Sequence, residues 1–502
     1  MIDYNACVDL LDRNVHDGRG RHPAVVTRQR TVTYAELLDE VAATAAGLRN
    51  LGVAPEQRVA MVMLDSIEFY DVFLAAMRIG AIPAPVNPLL PGRDIGGVVA
   101  ASRARVLVVS SERAGEVGAI RAAAPDVSTV VVTGSPEWDV LRRGGTDDGG
   151  PWATWDESPG FWLCTSGSTG RPKLAMHRHI DLRITADTYG TQVLGIRPDD
   201  RCYSVGPMFH AYGLGNSLSF PFSVGATAIV EPTRPPTPAL VGEIARSLQP
   251  TLLFCIPTFY AALCATDLPA DTFASVRWGV SAAEPLPADT FERFAERYGV
   301  RILDGIGSTE MTHIYISNSA TALRPGTSGR PVPGYDVQVV DDDGQAVAAD
   351  VPGHLIVSGD SMAVGYWCDS AATRYSFGFD RMRTGDMYSR SVDGYYTYLG
   401  RSDDMLRIGG EWVSPAEVEA VLVRNPAVLE AAVVGYRDDD GLQRPVAFVV
   451  ATPGAAVDEA ELAALCKAEL AGFKRPRRYR VVDALPKTTT GKIQRFVLRQ
   501  EC

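Results

Sequence analysis

The sequence predicts an α/β multidomain protein: a large N-terminal domain of αβ-layered sheets with a β-rich subdomain, then a small α+β C-terminal domain. Three observations lead to this prediction. The chain has 502 residues, whereas one hydrophobic core usually stops growing near ~250–300 residues. Short apolar, β-branched runs alternate with helical patterns in the N-terminal part, which is typical of βαβ units. The last part of the chain carries strands and helices of its own.

The N-terminal elements alternate between helix and strand. Thr33 and Glu36 have the spacing of a capping box, and the apolar residues after them recur at helical period until Gly52. Apolar and β-branched runs predict strands over 58–64, 105–109 and 129–132, and periodicity predicts a helix over 68–79.

The second half begins with β-rich stretches and ends in a mixed unit. Residues 143–150 are polar and Gly-rich and predict a surface loop, and strands are expected over 337–340 and 355–357. Ser414 precedes Pro415 at a predicted helix start. Strands over 431–434 and 446–450 and a helix over 459–470 complete the C-terminal unit. We expect two domains, 1–402 and 403–502.

Composition excludes several classes of protein. The net charge is −12 and the pI is about 5.2, which argues against a surface that binds nucleic acid. The eight cysteines show no Cys-x-x-Cys spacing, so reduced thiols are expected. Neither a signal sequence nor an apolar run of ~18 residues is evident. We therefore expect a soluble, cytoplasmic protein without membrane or nucleic-acid partners.

The strongest local signal is the loop Thr165-Ser166-Gly167-Ser168-Thr169-Gly170-Arg171-Pro172-Lys173, which follows the apolar run 161–164. Its hydroxyls, glycines and lysine offer many hydrogen-bond donors to a polyphosphate. It is not a Walker A loop, because Pro172 stands where that motif has glycine. Ser/Gly-rich loops also serve as flexible connectors, so the loop alone leaves both interpretations open.

Five separated motifs together resemble one family. Residues 165–173, 306–310, 383–386, 400–404 and 486–492 are similar to the motifs of the adenylate-forming superfamily of acyl-CoA synthetases, carrier-loading adenylation domains and luciferases. The resemblance runs from about Asn5 to Val497. Within the superfamily, residues 211–216, 304–311, 395–396 and 400–406 resemble those of benzoate-CoA ligases.

This resemblance implies an activity and its cofactors. An aromatic, benzoate-like carboxylic acid would be activated by ATP to an acyl-adenylate and transferred to coenzyme A, giving aryl-CoA, AMP and pyrophosphate, with Mg²⁺ as the metal. One alternative is a stand-alone aryl-AMP ligase that loads a carrier-protein phosphopantetheine. A catalytically silent nucleotide-binding regulator and a luciferase-like oxidation of the adenylate are further alternatives.

The resemblance also implies roles for single residues. Lys492 would bridge the carboxylate and the α-phosphate, with Thr309 at the α-phosphate and Glu310 as the Mg²⁺ ligand. Asp386 would accept the ribose hydroxyls. Arg401 would face the ribose or a phosphate, or form a structural salt bridge instead. Asp403 would be the hinge of a mobile C-terminal domain.

Three groups of contacts are implied as well. The ATP site would include residues of the loop and of a strand end: Thr165, Ser166, Gly167, Ser168, Thr169, Gly170, Lys173, Asp304, Gly305 and Ile306. The acyl pocket would be lined by Ala211, Tyr212, Ser281, Ala282, Gly307, His313 and Ile314. Coenzyme A would contact Gly409, Gly410, Phe473, Arg475 and Arg477. Each residue has an ordinary structural role as its alternative, core packing for the pocket residues and a solvated surface for the basic ones.

Two positions depart from the family pattern. His210 stands where benzoate-CoA ligases commonly have phenylalanine as an aromatic gate between acyl pocket and thiol tunnel. A hydrogen-bonded structural histidine is the alternative. Leu174 stands where the family usually has a small residue, and the sequence offers no physical reason for it.

Overall fold

The computed structural model describes residues 2–143, 149–166, 172–409, 411–438, 441–487 and 493–502. These residues pack into two compact units, Met1–Asp336 with Val357–Met382 (unit 1) and Val337–Ile356 with Arg383–Cys502 (unit 2). Helices and sheets alternate as predicted, so the α/β class is confirmed. The domains 1–402 and 403–502 stay a prediction, because two compact units in one structure do not show whether the C-terminal part moves.

The strands of the described residues are, in chain order, β1 Pro23–Val26, β2 Thr31–Thr33, β3 Arg58–Val62, β4 Ile82–Pro85, β5 Val106–Val109, β6 Thr129–Val132, β7 Pro159–Ser166, β8 Pro172–Arg178, β9 Arg201–Ser204, β10 Thr227–Ile229, β11 Leu252–Cys255, β12 Trp278–Ser281, β13 Ile302–Gly307, β14 Ile314–Ser317, β15 Arg330–Pro331, β16 Tyr335–Val340, β17 Gly353–Gly359, β18 Gly365–Tyr366, β19 Met382–Arg390, β20 Tyr396–Arg401, β21 Leu406–Ile408, β22 Glu411–Val413, β23 Val428–Arg437, β24 Gln443–Ala451 and β25 Arg478–Val482.

The α-helices are α1 Tyr34–Asn50, α2 Ile67–Arg78, α3 Gly92–Ser102, α4 Val117–Ala123, α5 Pro136–Arg142, α6 Asp181–Thr185, α7 Ala211–Leu214, α8 Phe220–Val224, α9 Pro238–Leu248, α10 Pro257–Ala265, α11 Ala288–Tyr298, α12 Ser370–Ser376, α13 Pro415–Leu422, α14 Glu459–Glu469 and α15 Arg495–Gln500. Single turns of 3-10 or π helix lie at Val8–Asp12, Val15–Arg19, Ser111–Glu116, Ala186–Thr191, Gly215–Ser219, Thr309–Met311 and Gly472–Lys474. No helix of the described ranges is long and apolar enough to cross a membrane.

Unit 1 contains three sheets. A nine-stranded sheet has the order β15-β14-β13-β12-β11-β9-β10-β1-β2, and a four-stranded sheet has the order β4-β3-β5-β6. Strands β9 to β13 pair in parallel, as do β3 to β6. The third sheet, β18-β8-β7, is antiparallel. The carboxyl ends of parallel strands meet at one sheet edge, which is where such folds place binding residues.

The predicted helices and strands of unit 1 are confirmed, whereas most of the predicted surface loop 143–150 lies outside the described residues. The side chain of Thr33 accepts from the backbone N–H of Glu36, and the Glu36 carboxylate accepts from Thr33, so α1 begins with the predicted capping box. The predicted strands and the helix over 68–79 appear as β3, β5, β6 and α2, with ends shifted by a few residues. Apolar side chains of these elements are fully buried, for example Phe73 and Val108.

Unit 2 combines the sheet β16-β17-β19-β20, the hairpin β21-β22 and the sheet β23-β24-β25. Ser414 caps α13 by accepting from the backbone N–H of Glu417, as its position before Pro415 predicts. Strands β23 and β24 cover the predicted strands 431–434 and 446–450, and α14 covers the predicted helix 459–470. Their apolar faces bury Val433, Val449 and Leu462 in one cluster.

Candidate active site

A β-hairpin frames the Ser/Thr/Gly-rich loop. Strand β7 ends at Ser166, β8 begins at Pro172, and Thr165 lies opposite Lys173 in the ladder. The hairpin therefore brings the two ends of the loop together. The loop residues Gly167, Ser168, Thr169 and Gly170 lie outside the described residues.

Glu310 is connected to this hairpin through one aromatic side chain. The Lys173 Nζ lies 4.9 Å from the centroid of the Tyr366 ring. The Tyr366 hydroxyl donates to Glu310 Oε1 at 2.6 Å. Burial, then the Glu310 charge, raises the pKa of Tyr366 above its usual value. The predicted ATP-site residues Lys173 and Glu310 thus contact the same tyrosine.

Sequence reasoning missed Tyr366. It lies in the short strand β18, which pairs with β8, and its ring is largely buried. Local sequence does not separate it from an ordinary core tyrosine, because only the pairing of distant strands brings it to Glu310.

A short turn after β13 carries Thr309 and Glu310. The turn Thr309–Met311 is 3-10 helix, and the Ser308 hydroxyl caps it by accepting from the Met311 N–H at 3.3 Å. The carbonyl of Glu310 accepts from the Ala363 N–H at 2.7 Å. Main-chain and side-chain contacts therefore both fix Glu310.

The residues around Glu310 fit a Mg²⁺ ion that is held mainly by a nucleotide. Among residues that the structure describes, no group of three or more His, Cys, Asp and Glu side chains forms a protein-only metal site. Mg²⁺ is usually bound through one or two carboxylates together with substrate phosphates and water. The single carboxylate of Glu310 matches that donor set.

Tyr212 and His313 form the aromatic part of the predicted acyl pocket. The Tyr212 hydroxyl donates to the Val280 carbonyl at 3.0 Å, which fixes the ring beside the end of β12. The ring centroids of Tyr212 and His313 are 5.6 Å apart. Phe220 and Tyr189, which sequence reasoning missed, lie 4.5 and 5.5 Å from the His313 ring.

His313 is a neutral imidazole. It is 2% exposed, and burial lowers its pKa to about 3. Its Nε2 lies 3.2 Å from the Tyr212 carbonyl and 3.2 Å from Asn216 Oδ1. Because both oxygens are acceptors, Nε2 carries the proton. The Tyr212 carbonyl and Asn216 thus fix the tautomer of a predicted pocket residue.

Glycine is required at position 307. A Cβ atom there would lie 2.4 Å from the carbonyl oxygen of His313, well inside van der Waals contact. Two other predicted pocket residues are buried: Ala211 at the start of α7 and Ile314 at the start of β14. The backbone of β13 can approach His313 only because position 307 has no side chain.

Five further predicted residues lie at or directly after the ends of β12 and β13. Ser281 pairs with Asp304 in the parallel ladder, and Ala282 follows directly and is buried. Burial raises the pKa of Asp304 to about 8. At Gly305 a Cβ would lie 2.7 Å from the Ile316 carbonyl oxygen, and Ile306 pairs with Ile316 in the antiparallel ladder of β13 and β14. The predicted nucleotide-binding segment is therefore closely packed.

His210 lies at the N-cap of α7, with its ring 4.6 Å from the Phe209 ring. Met208, two positions before His210, is fully buried, and its backbone N–H donates to Asp65 at 3.0 Å. His210 is partly exposed. Its role as a gate stays a prediction.

The second departure, Leu174, has a structural explanation. Its side chain is buried in a core cluster with Trp162, Ile95 and Val86. Its carbonyl accepts from the Trp367 N–H at 2.9 Å. Leu174 therefore anchors the hairpin that carries the loop.

In unit 2, Asp386 and Arg401 lie on paired strands. They are opposite each other in the β19-β20 ladder, and Arg401 donates to Asp386 Oδ1 at 2.8 Å. The structure thus shows the salt bridge that was the alternative role of Arg401. Gly385 has φ 76°, and a Cβ there would lie 2.7 Å from the Arg401 guanidinium.

The remaining predicted residues belong to the C-terminal part of unit 2. Arg499 donates to the carbonyl of Asp403 at 2.9 Å. Gly409 has φ 62°, a conformation that favours glycine. Lys492 and Gly410 lie outside the described residues.

The predicted coenzyme A residues follow α14. Phe473 is 37% exposed. Arg475 donates through Nε to the Leu470 carbonyl at 2.8 Å, and Arg477 is exposed just before β25. A short segment that carries an exposed aromatic ring and two arginines has side chains of the types that suit a nucleotide with a phosphate.

Comparison with known proteins identifies the family. A model of AMP-binding enzymes matches residues 11–367, and one of the AMP-binding enzyme C-terminal domain matches residues 417–492. A benzoate–CoA ligase of Thauera aromatica is 44% identical over 505 residues, covering 99% of this chain and 96% of that protein. A 4-hydroxybenzoate–CoA/benzoate–CoA ligase of Rhodopseudomonas palustris is 41% identical over 516 residues, covering 100% and 94%. A solved anthranilate CoA ligase in complex with anthranoyl-AMP has a TM-score of 0.93 at 37% identity, covering 100% and 98% of the two chains. The chain belongs to the AMP-binding enzyme family.

Proposed function

We propose that the protein joins an aromatic carboxylic acid to coenzyme A at the expense of ATP. The acid is first converted to an acyl-adenylate with release of pyrophosphate, and the thiol then displaces AMP. The observation that carries the proposal is the likeness to benzoate–CoA ligases along the whole chain, at 44% and 41% identity. The pocket residues Tyr212 and His313 support it, because their rings suit a planar substrate.

The first half-reaction brings two anions together. A carboxylate oxygen forms a bond to the α-phosphorus, and the bond from that phosphorus to the bridging oxygen breaks as pyrophosphate leaves. We assign Lys492 and Thr309 to the α-phosphate and Glu310 to Mg²⁺. Bound Mg²⁺ would supply positive charge at the departing phosphates. Lys492 would supply it between the attacking oxygen and phosphorus.

Two sets of residues contact the nucleotide in this proposal. The loop from Thr165 to Lys173 offers backbone and hydroxyl donors to the phosphates. The carboxylate of Asp386 has two oxygens, which suits the two ribose hydroxyls. The salt bridge from Arg401 supports this role, since it orients the Asp386 carboxylate.

The second half-reaction exchanges AMP for sulfur. The carbon–sulfur bond forms, the bond from the carbonyl carbon to the AMP oxygen breaks with its electron pair leaving on AMP, and the thiol proton passes to solvent water. Coenzyme A is the proposed acceptor because both bacterial relatives named above are CoA ligases. Phe473, Arg475 and Arg477 would receive its adenine and 3′-phosphate, with Gly409 and Gly410 beside the pantetheine arm.

Pyrophosphate release tests the proposal directly. Purified protein with ATP and Mg²⁺ should release pyrophosphate when benzoate or a substituted benzoate is added, and aryl-CoA should accumulate once CoA is present. Hexanoate serves as the non-aromatic control, and a holo carrier protein replaces CoA in a parallel arm. Release that no aromatic acid stimulates, or transfer to the carrier protein alone, would contradict the proposal.

We also propose a cytoplasmic location. The cysteines are all free thiols and four of them are buried, a state that reducing compartments maintain.

A further inference from the structure

The turn that carries Thr309 and Glu310 ends in a strained residue. Thr312 has φ 66° and ψ −36°, and the His313 N–H donates to the Met311 carbonyl at 2.7 Å. This is a γ-turn with positive φ, a rare and strained conformation. It is especially unfavourable for a β-branched residue. Such strain persists only where the surroundings determine the backbone completely.

Ser361 holds the turn from two sides. Its hydroxyl donates to the Met311 carbonyl at 2.8 Å, and its own carbonyl accepts from the Thr312 hydroxyl at 2.9 Å. Its hydroxyl oxygen lies 2.7 Å from the Tyr335 hydroxyl. Because the Ser361 proton is already donated, Tyr335 is the donor in this contact. Ser361 and Thr312 are buried.

A buried histidine and aspartate complete the support. His177 Nδ1 lies 3.1 Å from the Thr312 hydroxyl and 3.3 Å from Asp181 Oδ2. The Thr312 proton goes to Ser361, so Thr312 is an acceptor here, as is the Asp181 carboxylate. Nδ1 therefore carries the proton and is shared between both oxygens. Neither His177 nor Asp181 is exposed to solvent, and the His177 ring stacks on Phe161 at 4.8 Å.

Asp181 is itself fixed by a neighbour. Its carboxylate accepts from the backbone N–H of Arg178 at 2.9 Å and from the Arg178 guanidinium at 3.0 Å. Arg178 also donates to the carbonyl of Asp360, the residue before Ser361. Every member of the network is thereby connected to the same turn.

We propose that Thr312, held by Ser361 and by His177 with its partner Asp181, is a positioning residue that sets the places of Glu310 and His313 at once. The proposal rests on the proposed function, which assigns Glu310 to Mg²⁺ and His313 to the acyl pocket. One strained residue lies between the two, two positions after Glu310 and directly before His313. Any relaxation of its backbone moves both side chains.

The test compares Thr312→Val, which keeps the shape but removes the hydroxyl, with Thr312→Ser, which keeps it. Thr272→Val is the matched control, because Thr272 is also buried and its hydroxyl donates to a backbone carbonyl, that of Pro269 at 2.6 Å. Pyrophosphate release with benzoate measures kcat and KM. Calorimetry measures the Mg²⁺-dependent affinity for ATP and needs no turnover.

We expect Thr312→Val to lower kcat about tenfold or more, since small displacements near a reacting centre have effects of this size. The same variant should weaken ATP binding in the presence of Mg²⁺ but not in its absence. Thr312→Ser and Thr272→Val should stay near wild type. If Thr312→Val is insoluble, Ser361→Ala, which removes the other hydroxyl, should show the same pattern.

Wild-type ATP affinity in Thr312→Val, or equal loss in the valine and serine variants, overturns the proposal. A wild-type protein that binds ATP with Mg²⁺ yet releases no pyrophosphate with any aromatic acid refutes the proposed function instead. In that case the binding comparison still tests the role of Thr312.

Discussion

Gly307 gives a steric prediction at the scale of one residue. In Gly307→Ala the new Cβ would meet the backbone carbonyl of His313 at 2.4 Å, so β13 and β14 must separate. We expect kcat/KM for benzoate to fall about tenfold or more, measured by pyrophosphate release. Gly97→Ala is the control, since nothing lies within 4 Å of its added Cβ. Unchanged kcat/KM in Gly307→Ala would contradict the placement of His313.

Buried His179 predicts a pH dependence of stability. Burial lowers its pKa from 6.5 to about 4 in the folded chain. Between these values the unfolded chain binds the proton and the folded chain does not, so stability falls as pH falls from 6.5 towards 4. The loss at pH 4 is on the order of 3 kcal/mol. Urea unfolding of His179→Gln should therefore show a shallower acid loss than wild type, and parallel curves would contradict the prediction.

The role proposed for Lys492 predicts different effects on the two half-reactions. Lys492→Ala should abolish adenylate formation, because the charge between carboxylate and phosphate is lost, while thioester formation from presynthesised aryl-adenylate should persist. Rapid-quench assays of each step measure both. Equal loss of the two steps would refute the assigned role.

Residues that belong to contiguous sequence motifs could be predicted from the sequence, and residues placed by distant pairing could not. The motif around Glu310 was identified from its neighbours in sequence. Tyr366 and Ser361 were not identified, because they contact residues of the turn that are 56 and 49 positions away from them in the chain.

At the scale of elements, the turn at Asp403 gives a prediction about domain movement. Its hydrogen bonds use the N–H groups of Ser402, Asp404 and Met405, so proline at 403 fixes φ without removing one of them. If Asp403 is the hinge, Asp403→Pro should slow thioester formation selectively and leave adenylation near wild type. Asp403→Ala is the control, since it removes the carboxylate but keeps φ free. Unchanged transfer in the proline variant would remove the hinge assignment.

Local signals predicted elements well, whereas sheet order was beyond them. The capping box of α1 and the Ser-Pro start of α13 are satisfied within a few residues, so sequence alone carries them. In contrast, β1 pairs with β10, with Val25 opposite Ala228. About two hundred residues separate these two strands in the chain, so local sequence does not indicate that they pair. The hydrophobic pattern of such a strand predicts which of its faces is buried, but it does not predict which strand lies next to it.

For the whole molecule, the thiol inventory gives a chemical prediction. All eight cysteines are free, and Cys368 and Cys502 are exposed. Burial raises the pKa of Cys202 and Cys255 above its usual value, so these thiols resist modification. Without reductant, Ellman's reagent should modify the two exposed thiols first and all eight after unfolding. Fewer thiols in the unfolded protein would reveal a disulfide.

The supports of the Glu310 turn come from segments that leave the ribosome far apart in time. His177 and Asp181 are synthesised first, the turn itself later, and Ser361 and Tyr366 last. A nascent chain that has emerged only as far as β14 therefore contains Glu310 but still lacks Ser361 and Tyr366, which contact the turn. The proposed geometry around Glu310 is complete only when β18 pairs with β8, so fragments that end before that strand should be inactive, however well their sheets form.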